Sequence, residues 1–91
     1  MDEPTFTAYL TAHALTSGIK TVQAQRCPDI NPSMISFKAG NYTNCAHKEG
    51  LDWHLTEEGA LARAGEMRIM KIASLKKQIY RLETLRIKVI E

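Results

Sequence analysis

The sequence has few of the residues that build cross-linked, membrane-spanning or catalytic proteins. Two cysteines stand among 91 residues, too few for the disulfide framework of a small secreted domain, and they fit reduced thiols instead. Joining Cys27 to Cys45 would close a loop of about 18 residues, but a reducing compartment argues against that bond. No apolar run approaches the roughly 18 residues of a membrane span. The acidic Met1-Asp2-Glu3-Pro4 start is unlike a secretory leader. These absences predict a soluble cytoplasmic protein with no membrane partner. G-x-S-x-G, P-loop and G-x-G-x-x-G patterns are missing too, so no enzymatic activity and no cofactor are expected.

At 44% hydrophobic and 24% charged residues, the chain reads as one ordinary globular domain, residues 1–91, with a modest core. Its charge is unevenly placed. Residues 1–56 carry four Lys/Arg against five Asp/Glu, while Arg63 to Lys88 holds eight Lys/Arg against two Glu. The positive field belongs to the last third.

From Thr5 to Leu15, Phe6, Ala8, Leu10, Ala12 and Ala14 alternate with Thr5, Thr7, Tyr9, Thr11 and His13. Period two with abundant threonine predicts a half-buried strand. A turn at Thr16-Ser17-Gly18 leads into a second strand over Ile19–Cys27, forming a hairpin. Pro28 to Ser33 breaks regular structure. Met34–Lys38 with Ile35 and Phe37 inward, Tyr42–His47, and Trp53-His54-Leu55 supply shorter strand candidates, with turns at Ala39-Gly40-Asn41 and Lys48-Glu49-Gly50.

Thr56 then caps a helix whose first turn holds Glu57 and Glu58 and whose second half is rich in Lys and Arg, the signs that the helix dipole favours. Running to about Lys88, it would be about 48 Å long, against a body roughly 30 Å across for a compact chain of this size. Part of it must overhang. Projected at about 100° per residue, the helix shows two apolar stripes, one able to cover the sheet and the other, with the overhanging Leu82–Ile90 end, left for another chain. Leu61, Ile72, Leu75, Ile79, Leu82 and Val89 form the first. Ala62, Ile69, Ala73, Tyr80 and Ile87 form a second, and Arg63, Ser74, Lys77, Arg81 and Lys88 a third. The 72/75/79/82 spacing is also a short a/d heptad run, but two heptads do not make a coiled coil by themselves. Gly59 and Gly65 weaken the early turns by roughly 1 kcal/mol each. The fold class expected is α+β: a small antiparallel sheet of three to four strands over residues 5–55, followed by one long C-terminal amphipathic helix over 56–90.

Several polar groupings allow two readings. Cys45-x-His47 with His54 and Cys27 contains zinc-type ligands, but not the close pairs that structural zinc sites use, so no metal is expected. Cys45 beside either histidine lacks an orienting group or oxyanion hole. Trp53 either caps the core or serves as an exposed binding anchor, and Tyr42 poses the same choice. The basic row is either a solvated face or a ridge that attracts phosphates or an acidic partner.

Ala14-Leu15-Thr16-Ser17-Gly18-Ile19 after a tyrosine-containing strand, Trp53-His54-Leu55-Thr56 before Glu57-Glu58, and Arg63-Ala64-Gly65-Glu66-Met67-Arg68 leading into Lys71-Ile72-Ala73-Ser74-Leu75-Lys76-Lys77-Gln78-Ile79 resemble a family of small proteins encoded by bacteriophages, prophages and other mobile elements. The likeness extends over nearly the whole chain. Gly59 and Gly65 depart from it, standing where such proteins more often carry alanine or another helix former, and the Asp29–Ser33 loop differs as well.

The resemblance implies an accessory protein acting in the host bacterial cytoplasm, an inhibitor of host defence that binds its target stoichiometrically, with a CRISPR–Cas effector complex as the leading target. Binding is expected through Arg63, Arg68, Lys77, Arg81, Lys88, Tyr42 and Trp53. Assembly into a dimer or higher homo-oligomer is expected through Ile69, Ala73, Tyr80, Leu82, Leu85, Ile87 and Val89. Two alternatives accompany this reading: an oligomeric sponge that sequesters a signalling nucleotide through Arg63 and Arg68, and a small nucleic-acid-binding accessory protein.

Overall fold

A computed structural model describes residues 4–91. It contains β1 (Phe6–Leu10), β2 (Lys20–Arg26), β3 (Ile35–Ala39), β4 (Tyr42–Ala46), β5 (Trp53–His54) and α1 (Glu57–Glu83). The α+β class agrees with the sequence. The sheet has five strands rather than three to four, in the order β4-β3-β2-β1-β5. Every strand pairing within it is antiparallel.

β1 stops at Leu10, well before the expected Leu15. Thr11 leaves the ladder: its N–H donates to the Asp52 carbonyl (3.0 Å), and the following segment winds into turns closed by Ala14 and Ser17 onto the Thr11 and His13 carbonyls. Ala12 and Ala14 kept the alternation but have little preference for a strand. The β3–β4 connection is a two-residue loop, because Ala39 pairs directly with Tyr42. Gly40 at its first position has φ +64°, the left-handed conformation that a primed hairpin turn demands there.

Strand register puts Phe6, Ala8, Leu10, Val22, Ala24, Ile35, Phe37, Ala46 and Trp53 on one face. Ala8, Ala24, Ile35, Ala46 and Trp53 form the buried core there, with Phe6, Leu10, Val22 and Phe37 packed around it. The alanines leave room for the sheet to curl, so the Trp53 ring meets Phe6 at 5.9 Å between centroids. The Trp53 indole N–H donates to the Ser33 carbonyl at 2.9 Å, and the Arg26 guanidinium lies 5.5 Å from the Phe6 and Trp53 rings. Trp53, 0% exposed, is therefore a core residue and cannot serve as an exposed binding anchor.

The sheet curls over part of its own apolar face, leaving Leu10, Val22 and Phe37 half-buried, and α1 does not cover it. Ala60 is the one fully buried helix residue, and from Arg68 onward every helix residue is exposed. The expectation that one apolar stripe of the helix covers the sheet is thus corrected. The molecule measures 68 × 33 × 24 Å with a radius of gyration of 18.8 Å, against about 12 Å for a compact chain of this length.

The helix also ends sooner than Lys88 or residue 90. Thr84 caps it, its N–H and hydroxyl both donating to the Tyr80 carbonyl, at 3.0 and 2.9 Å. A threonine hydroxyl bound back to the preceding turn competes with further winding. The β-branched Ile87, Val89 and Ile90 that follow are weaker helix formers than the leucines and lysines before them. Leu85, Ile87 and Val89 consequently lie in an irregular, exposed tail.

Candidate functional site

The sheet and helix meet at one small junction. Thr56 has extended backbone angles, and its hydroxyl accepts from the Gly59 N–H at 3.0 Å, the N-cap that the sequence indicated. Just before it, His54 is buried on β5. The Thr11 hydroxyl donates to the Leu51 carbonyl at 2.7 Å, and His54 Nε2 lies 3.1 Å from the same hydroxyl oxygen. With the hydroxyl proton directed at Leu51, the ring nitrogen is the donor, which assigns the Nε2–H tautomer. Burial first, and then the positive charge of Arg63, hold the His54 pKa below its usual value. The neutral ring fastens β5 to the segment after β1, where the helix begins.

Beyond this junction α1 carries a continuous uncovered strip. Ile72, Leu75, Ile79 and Leu82 recur at spacings of three and four, are 45, 43, 54 and 71% exposed, and lie along one side of the rod. Leu61 extends the strip toward the sheet, and Ile69 flanks it; both are exposed. Ala73 and Tyr80 are exposed on the neighbouring side.

The basic residues expected to bind a target are only partly brought together. Lys77 and Arg81 share an exposed face of α1 with Ser74, with no acidic side chain at ion-pair distance among the described residues. Arg63 is drawn into the junction instead: its side chain is 23% exposed and pairs with Glu66 at 3.4 Å. Its Nε is buried without a hydrogen-bond partner among the described residues. Arg68 projects about 140° away from that face, within the line of the apolar strip, one turn before Ile72 and between it and Leu61. Lys88 lies past the helix end. Tyr42 is exposed on edge strand β4, whereas Trp53 is buried on the opposite edge strand β5, so the two do not form one binding edge.

The histidines and thiols are dispersed. Cys27 and Cys45 are both free, and His54 is committed to Thr11. Among the described residues no three His, Cys, Asp or Glu side chains are placed to share a metal ion. An open cleft of about 680 Å³ at the mouth of the curled sheet is lined by Leu10, Val22, Phe37, Ala46 and Cys45, but none of the expected binding residues reaches it.

No family model, curated protein or solved structure matches the chain.

Thr11 and Arg26 join distant parts of the fold, and sequence reasoning passed them over. Thr11 read as one solvent-facing member of an alternating strand, and Arg26 as the end of another. The contacts of Thr11 with residues 51–54 and of Arg26 with Glu49 and Trp53 join distant parts of the chain. No local pattern encodes them. Among the described residues no helix is long and apolar enough to cross a membrane.

Proposed function

We propose that the protein works without catalysis, as a helix-joined homo-oligomer that binds and blocks a component of bacterial defence, with a CRISPR–Cas effector as the first target to test. The observation that carries the binding reading is the uncovered row Ile72, Leu75, Ile79 and Leu82 on a helix that its own sheet does not shield. Burying a leucine or isoleucine is worth about 1.5–3 kcal/mol, so a row left half-exposed favours association. The defence target rests on the resemblance read from the sequence alone, between the motifs around Gly18, Trp53 and Lys71–Ile79 and phage-encoded accessory proteins. In this reading the strip joins subunits, and the Lys77–Arg81 face, repeated in each copy, is offered to the target.

A second reading rests on that same face. Two cations without an ion-pair partner among the described residues, with Ser74 one turn before them on the same face, suit a phosphate backbone, as in a nucleic-acid-binding accessory protein. Such binding weakens steeply with salt. The sponge alternative, with a nucleotide held by Arg63 and Arg68, predicts a small molecule that co-purifies with the oligomer.

Capture of host proteins on the tagged protein, followed by native mass spectrometry of the eluate, tests these together. The proposal expects a defence complex bound to an oligomer, lost on Lys77→Glu with Arg81→Glu. Recovery of the protein with nucleic acid or nucleotide alone would overturn the defence-complex reading.

A further inference from the structure

We propose that the occupant of the helix strip is a second copy of this chain, docked as a parallel, in-register two-stranded coiled coil about Ile72, Leu75, Ile79 and Leu82. This rests on the reading of a helix-joined oligomer and adds its order and polarity.

The core residues point to two parallel strands. In heptad terms Ile72 and Ile79 occupy a positions and Leu75 and Leu82 d positions, while Leu61 lies at a further d position beyond Gly65 at a and Arg68 at d. A β-branched residue at a with leucine at d is the combination that favours a parallel pair, because each shape fits the hole its position presents.

Surface area is sufficient for such a pair. Leu61, Ile69, Ile72, Leu75, Ile79 and Leu82 are each between 43 and 71% exposed. At about 100 Å² of apolar surface for a whole side chain, they offer roughly 300 Å² per copy. In an interface about 60% apolar, that corresponds to about 1,000 Å² in total, the threshold for a specific contact.

Geometry also permits the parallel arrangement. The residues nearest the sheet, Ala60 and Met67, project about a quarter turn from the strip at 100° per residue. The two-fold axis of a parallel pair runs along the coil, so the two sheets fall on opposite sides of it and leave the seam open.

Charge sets the strength of the pair. In register, Lys71 of one copy faces Lys76 of the other, and Arg68 meets its own equivalent at a d position. Both contacts repel, and both are screened by salt. Self-association should therefore tighten severalfold between 50 and 500 mM salt, whereas anion binding by the Lys77–Arg81 face would weaken.

The test uses the full chain carrying Cys27→Ser, Cys45→Ser and Leu82→Cys, oxidised at low micromolar concentration, with sedimentation of the reduced sample alongside. In a parallel pair the two sulfurs face each other within disulfide reach, at a Cα separation of about 4.4–6.8 Å. In an antiparallel pair with Ile72 opposite Leu82, residues 82 lie about 15 Å apart along the axis. The proposal expects a reduced dimer that converts nearly completely to a cross-linked one. A dimer that fails to cross-link overturns the parallel geometry while leaving the helix-joined oligomer standing. A reduced protein that sediments as a monomer overturns both, and a trimer or tetramer overturns the two-stranded assignment.

Discussion

His54 ties chemistry to stability at a single residue. Its ring is buried, donates to Thr11 and lies near the Arg63 charge, so the native state resists its protonation. The unfolded chain takes up that proton near pH 6.5, whereas the native one does so only at lower pH. Between those two values the unfolded state holds more protons, and stability falls as pH falls. Urea unfolding at pH 7.5 and 5.5 should show this loss, and His54→Gln should flatten the slope across that window. An unchanged slope in the variant would place the pH dependence elsewhere. Trp53 illustrates the limit of reading one residue from sequence. A lone tryptophan at a strand–helix junction reads first as a core cap and second as a hot spot, and the Ser33 carbonyl and the Arg26 guanidinium, contributed from elsewhere in the chain, decide for the core.

Elements were legible where the signal is local. Thr56 with Glu57 and Glu58 marks the helix start, and Gly40-Asn41 marks a tight hairpin. The limit of β1 was not legible, because it is set by Thr11 bonding to residues 51 and 52. Nor was the uncovered helix: a stripe suited to covering a sheet looks the same as one suited to covering another helix. The sheet's own curl decided between them. The two glycines of α1 also separate at this scale. A Cβ added at Gly65 meets nothing within 4 Å, whereas at Gly59 it comes within 3.1 Å of the Thr56 hydroxyl. Gly65→Ala should stabilise the fold by about 0.5–1 kcal/mol through helix propensity. Gly59→Ala should gain less, since the N-cap must shift to admit it. Thermal denaturation of both variants checks the difference in sign or size.

For the whole molecule, shape and charge follow from the same division of labour. A small curled sheet supplies the folded body, and the helix carries basic and apolar surface away from it, reaching an overall length of 68 Å. Such a rod, isolated in water, keeps its leucines and isoleucines wet, and the account holds that a second rod covers them. Sedimentation velocity across low to high micromolar concentrations measures this directly, with Leu75→Glu plus Ile79→Glu as the comparison. The account predicts a concentration-dependent dimer for the native protein and an equally well-folded monomer for the double variant. A native protein that stays monomeric throughout that range would contradict it.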